Sequence, residues 1–115
     1  MATLEHLATV AAKNSSQLQK HGCVIFIPQK RIYITGFNYE TSQTRKFTTI
    51  HKSIHAEEDT CRRVYPRHLL AGSIMYVVRL TRSGQSVHTT PCQRCMKMIT
   101  KFGIGKIYYK CKTVQ

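Results

Sequence analysis

Two short segments carry residue types that can do chemistry together: His55-Ala56-Glu57, and Pro91-Cys92-Gln93-Arg94-Cys95. They offer one imidazole and two thiols, a mixed nitrogen and sulfur set of the kind that holds zinc tetrahedrally. Three protein ligands leave the fourth position for water, whose pKa then falls to roughly 7, so hydroxide is on hand at neutral pH. Glu57 is the informative addition. A carboxylate two residues from an imidazole ligand need not bind the metal, and it can carry protons to and from a reacting centre. On a regular helix, positions i and i+2 do not share a face. His55 and Glu57 therefore converge on one metal only at the mouth of a helix. The rival arrangement is a zinc closed by a fourth protein ligand, with Cys111, Cys61 or His88 as candidates. That would make a non-catalytic, zinc-containing nucleic-acid-binding module and leave Glu57 without a task.

These segments need elements to hold them. Leu4, Leu7, Val10, Ala11 and Leu18 follow a 3.6-residue period and predict a helix over Thr3–Gln19, ended by Gly22. The apolar, β-branched run Cys23–Pro28 predicts a strand buried on both faces, and Ile32–Phe37 a second strand in an antiparallel hairpin. The polar stretch Asn38–Ser53 reads as a loop of about 15 residues, a length that in a small domain usually serves function. His55–Tyr65 predicts a helix stopped by Pro66, and Gly72–Leu80 a third strand. A helix over Thr90–Phe102 starts with Thr90 as N-cap, Pro91 at the first helical position and Gln93 at the third, and Lys106–Cys111 closes the series as a strand. With right-handed crossovers, the order α-β-β-α-β-α-β predicts a three-layer α/β/α sandwich around a mixed, mostly parallel central sheet. Both chemical segments then leave the sheet where such folds gather their sites.

The chain has 115 residues, enough for one domain spanning 1–115, and 42% of them are hydrophobic, which excludes a disordered basic tail. No apolar run approaches the roughly 18 residues of a membrane span, and Met1–Leu7 lacks the pattern of a secretory leader. The expectation is a cytoplasmic protein with no membrane partner. Five cysteines, an odd number, argue against a disulfide framework; Cys23 and Cys61 read as buried thiols. The formal charge of +13 comes from 18 Lys and Arg against 5 Asp and Glu, and three of those acids are consecutive at Glu57, Glu58 and Asp59. Such a balance points to a phosphorylated or polyanionic partner, a small nucleotide or a nucleic acid. Glu58 and Asp59 read as first-turn acids that complement the helix dipole. His21, His51, His68 and His88 read as loop, turn or surface residues. Tyr108 and Tyr109 alternate on a strand, so at most one faces any ligand, and core packing is the simpler role for both.

The pattern H-x-E … P-C-x-x-C resembles the signature of the zinc-dependent cytidine/deoxycytidylate deaminase superfamily. Lys20–Ile25 with Thr35–Asn38 resembles its opening hairpin, Ser53–Glu57 its helix entry, and Phe102–Tyr109 the stretch after its cysteines, so nearly the whole chain is covered in order. The nearest type is the CMP/dCMP deaminase. The resemblance implies a cytidine-deaminase-like fold, with Zn2+ on His55, Cys92 and Cys95. Zinc-bound hydroxide would attack C4 of cytosine while Glu57 moves protons between water, ring N3 and departing ammonia. It further implies Asn38 on the sugar and the Ala56 N–H on the pyrimidine carbonyl. The implied substrate is a cytosine nucleoside or nucleotide; the same chemistry on cytosine or adenine in single-stranded RNA or DNA is the alternative. Relatives are often homo-oligomers, so the same is expected here.

Overall fold

The computed structural model describes residues 2–45 and 47–110. In chain order the elements are α1 (Ala2–Lys13), β1 (Lys20–Ile27), β2 (Ile32–Phe37), β3 (Tyr39–Arg45), β4 (Thr48–Ile54) and α2 (Ala56–Arg62). A 3-10 turn (Arg67–Leu70), β5 (Ile74–Leu80), β6 (Ser86–Val87), α3 (Gln93–Phe102) and β7 (Lys106–Tyr109) complete the chain.

Three layers follow from the alternation of side chains along the central strands. On β1, Cys23, Ile25 and Ile27 enter a core with Ala56, Cys61, Met75, Val77 and Ile99, beneath α2 and α3. Val24 points the other way and packs with Tyr76, Val78 and Leu80 against Leu4, Ala8 and Ala12 of α1. The central sheet runs β2-β1-β5-β6, with β7 on β5. Two glycines permit the close layers. A Cβ on Gly22 would lie 1.9 Å from the Ala8 carbonyl oxygen of α1, and one on Gly36 would lie 2.4 Å from Thr60 Oγ1 of α2.

The sheet is mixed, as expected, but its pairing differs from a mostly parallel one. The crossover through α2 sets β5 in the direction of β2, yet β1 lies between them and pairs antiparallel with both. Among the described strands the one parallel pairing is β5 with β7. The stretch read as a loop over Asn38–Ser53 is instead a hairpin of β3 and β4, in register from Tyr39 opposite Ile54 to Arg45 opposite Thr48. Its strands are mostly polar, with the buried Ile54 opposite Tyr39 at the end next to α2, so no period-two apolar signal marked them. Thr44 Oγ1 lies 3.2 Å from Thr49 Oγ1 across the pair, and exposed His51 lies 3.2 Å from Glu40. The first helix ends at Lys13 rather than Gln19, because buried Ser15 turns its hydroxyl to the carbonyl oxygen of Asn38 at 2.9 Å, and Leu18 is left 70% exposed. No described helix is long and apolar enough to cross a membrane.

Candidate active site

Two helix mouths meet at the end of the sheet where β2, β5 and β7 finish. His55 is the extended residue that caps α2, directly after β4. Cys92, not Thr90, is the N-cap of α3, and its Sγ accepts the amide hydrogen of Cys95 at 3.3 Å. The sulfur thus does locally what the threonine hydroxyl was expected to do, and Pro91 stands before the helix. This capping geometry turns both sulfurs toward His55, whose Nδ1 lies 3.2 Å from Cys95 Sγ and 3.5 Å from Cys92 Sγ. The donor atoms of His55, Cys92 and Cys95 all lie within 4.8 Å of one another.

Glu57 is buried at 6% exposure, and its Oε2 accepts from the Tyr109 hydroxyl at 2.9 Å. Burial, and then the Glu57 carboxylate, hold the Cys95 thiol far above its ordinary range. A cation at the cluster inverts that preference, because a coordinating thiol gives up its proton. Three converging donors and two closely spaced sulfurs fit zinc. The other acids of α2 brace the frame. Glu58 accepts from Arg62 at 2.9 Å and from Arg94 of α3 at 3.0 Å, joining the two helices. Asp59 binds Arg63 and the backbone of β2.

The cluster opens on a cavity of about 270 Å³ lined by His21, Asn38, Ser53, His55, Ala56, Glu57, Thr89, Thr90 and Cys92. This is close to the lower end of the roughly 300–1,000 Å³ typical of small-molecule sites. Asn38 is held in the wall by its own amide. Its Oδ1 accepts the His21 N–H at 2.8 Å and its Nδ2 donates to the Gln19 carbonyl at 2.9 Å. One Nδ2 hydrogen and one Oδ1 lone pair remain for a ligand. Burial lowers the pKa of His21, which keeps that ring neutral in the wall.

Of the residues singled out in the sequence, His55, Glu57, Cys92, Asn38 and Ala56 thus line one pocket, and buried Cys95 joins His55 and Cys92 in the donor cluster behind it. Cys61 is instead part of the core beneath α2, exposed His88 lies outside the cluster, and Cys111 lies outside the described residues. Among the described residues, then, the cluster has three donors and none of the candidates for a fourth. Two residues were misread. His21 lines the pocket instead of the outer surface, and Tyr109 reaches Glu57 instead of only filling the core. Strand parity could have found both, since His21 and Tyr109 share their faces with Cys23 and Ile107.

Three donors that could hold a metal, beside a buried carboxylate at the end of a mixed sheet, are the set that a hydrolytic zinc site requires. The chain belongs to the family described as the cytidine and deoxycytidylate deaminase zinc-binding region, whose model matches residues 1–111. It is a zinc-dependent deaminase. Its fold is similar to that of cytidine deaminase from Mycobacterium leprae (22% identity, TM-score 0.61, covering 92% of this chain and 84% of that one). Cytidine deaminase from Burkholderia pseudomallei is similar as well (16%, 0.63, 89% and 76%), as is that from Mycobacterium tuberculosis (17%, 0.59, 93% and 81%). No curated protein sequence matches the chain.

Proposed function

We propose that the chain hydrolyses the 4-amino group of cytosine in a nucleoside monophosphate, CMP or dCMP, releasing ammonia and leaving uracil. His55, Cys92 and Cys95 would hold the zinc, which when bound would supply an acidified water as nucleophile. Glu57 would take a proton from the attacking water, deliver one to ring N3, and later pass one to the departing amine. The Ala56 N–H, at the first position of α2 and so without an intrahelical acceptor, meets the pyrimidine carbonyl. Asn38 offers its remaining donor and lone pair to the sugar. The observation that carries this reading is the buried Glu57 carboxylate, which lines the same cavity as His55 and Cys92 of the donor cluster.

Two features support a phosphorylated substrate. The net charge is +13, and Arg79 stands opposite His21 in the β1–β5 register, on the pocket face of the sheet. The Arg79 Nε is buried and has no hydrogen-bond partner among the described residues. A guanidinium placed so suits an oxyanion. The test is ammonia release from cytidine, CMP, dCMP and single-stranded oligonucleotides, with Glu57→Ala as control and bound zinc measured alongside. Turnover of the monophosphates, lost in Glu57→Ala while zinc remains, is the expected result. Turnover confined to oligonucleotides would overturn the mononucleotide reading. No turnover of any substrate by zinc-loaded protein would overturn catalysis on these substrates altogether.

A further inference from the structure

We propose that Tyr109 is a positioning residue that holds the Glu57 carboxylate in its working orientation. The inference rests on the assignment of Glu57 as the proton carrier. Its starting point is a weakness in local geometry. Glu57 is only two positions past His55, and α2 spans only Ala56–Arg62, so the helix does not by itself aim both side chains at one point. A glutamate also has several rotatable bonds, and fixing them costs conformational entropy. Something outside α2 has to supply the aim.

Tyr109 comes from the last strand, 52 positions away, and its hydroxyl donates to Glu57 Oε2 at 2.9 Å. The strand decides which tyrosine does so. Ile107 and Tyr109 face the core under α2 and α3, whereas Tyr108 turns to the other side and lies 6.2 Å, centroid to centroid, from Tyr76. Register pins the reaching ring: Tyr109 pairs with Val77 in the parallel ladder, and the next amide, of Lys110, donates to the Val77 carbonyl at 3.0 Å. A tyrosine has two side-chain torsions, so a fixed backbone and a packed ring leave the hydroxyl little freedom. The phenol is a strut from sheet to carboxylate. It occupies Oε2 and leaves Oε1 without that tether.

The experiment compares wild type, Tyr109→Phe, Glu57→Gln and the double variant. The strut predicts that Tyr109→Phe lowers kcat by about 10- to 100-fold, part of the roughly 10²–10⁴-fold that a placed acid–base group contributes. KM for CMP stays within about threefold, and zinc content and melting temperature hold, since phenylalanine keeps the ring in its place. In the Glu57→Gln background the same change has less than about a twofold effect, as expected of residues acting as one unit. A second readout needs neither metal nor turnover. In zinc-free protein, the infrared carboxylate band changes on Tyr109→Phe, and that change is absent when position 57 is glutamine. A kcat within twofold of wild type, an unchanged carboxylate band, or loss of zinc or fold in Tyr109→Phe would each overturn the strut. If Glu57→Gln itself keeps full turnover, the Glu57 assignment fails first; if Glu57→Gln is inactive and Tyr109→Phe is not, only the strut fails.

Discussion

The Oδ2 of Asp59 accepts the amide hydrogen of Phe37 at 3.1 Å, so a carboxylate two positions after Glu57 ties α2 to the last residue of β2. The same oxygen receives Arg63 Nε at 3.3 Å, and the side chain is buried. Asp59→Ala leaves a strand-end amide without its acceptor, which costs about 1–3 kcal/mol. The melting temperature should fall by several degrees in calorimetry, with the loss present in zinc-free as well as zinc-loaded protein. A melting point equal to wild type would mean that the amide finds water instead.

Gly22 is where α1 touches the sheet. Its missing Cβ would meet the Ala8 carbonyl oxygen at 1.9 Å and the Ala12 nitrogen at 2.4 Å, both backbone atoms that cannot rotate away. Gly22→Ala must therefore push α1 off β1, at a cost of about 3 kcal/mol or more. The expected outcome is a lower urea midpoint and faster amide exchange in α1, read by hydrogen exchange, before any change in α3.

Burial, and then the Glu57 carboxylate, push the Cys61 thiol from 9.0 up to about 12. The unfolded chain begins to lose this proton near pH 9 while the folded one keeps it to about 12. Stability is then full below pH 9 and falls as the pH rises from 9 toward 12. Buried Cys23 acts in the same direction. Urea midpoints should be flat between pH 7.5 and 8.5 and decline above 9, and Cys61→Ala should make that decline shallower. An equally steep decline in the variant would remove Cys61 as a cause.

Arg79→Ala separates the phosphate from the base. If the guanidinium meets a phosphate, KM for CMP rises about tenfold or more, whereas KM for cytidine changes by less than about twofold, since a charge-assisted bond is worth about 1.5–3 kcal/mol. Equal changes for both substrates would reduce Arg79 to a structural cation beside His21.

Much of this arrangement was legible in the sequence because the strongest signals were covalent neighbours. The spacing of Cys92 and Cys95 and the His55–Glu57 pair announced the donors, and the apolar run of β1 announced the sheet. What escaped had to do with partners far along the chain. The β3–β4 hairpin is held by hydroxyl and charged pairs such as Thr44 with Thr49, which leave no apolar alternation to read. Cys92 displaced Thr90 as the cap because a thiol can accept an amide hydrogen, a role usually looked for in oxygen. Strand order hid the antiparallel pairing of β1 with β5, since β1 inserts between strands that the crossover rule treats as neighbours.

The donors that surround the metal position come from distant parts of the chain, with His55 and Cys95 separated by 40 positions. An ion held by these donors would therefore do for this fold what a covalent bridge does elsewhere, closing a large ring of backbone. On chain-entropy reasoning a closure of about 40 residues is worth about 4 kcal/mol at 25 °C. The ring contains α2, β5 and β6, with Glu57 beside the knot and the Tyr109 strand outside it. Under the ligand set proposed above, chelation would untie the ring, and resistance to unfolding would be coupled to the ion that serves catalysis.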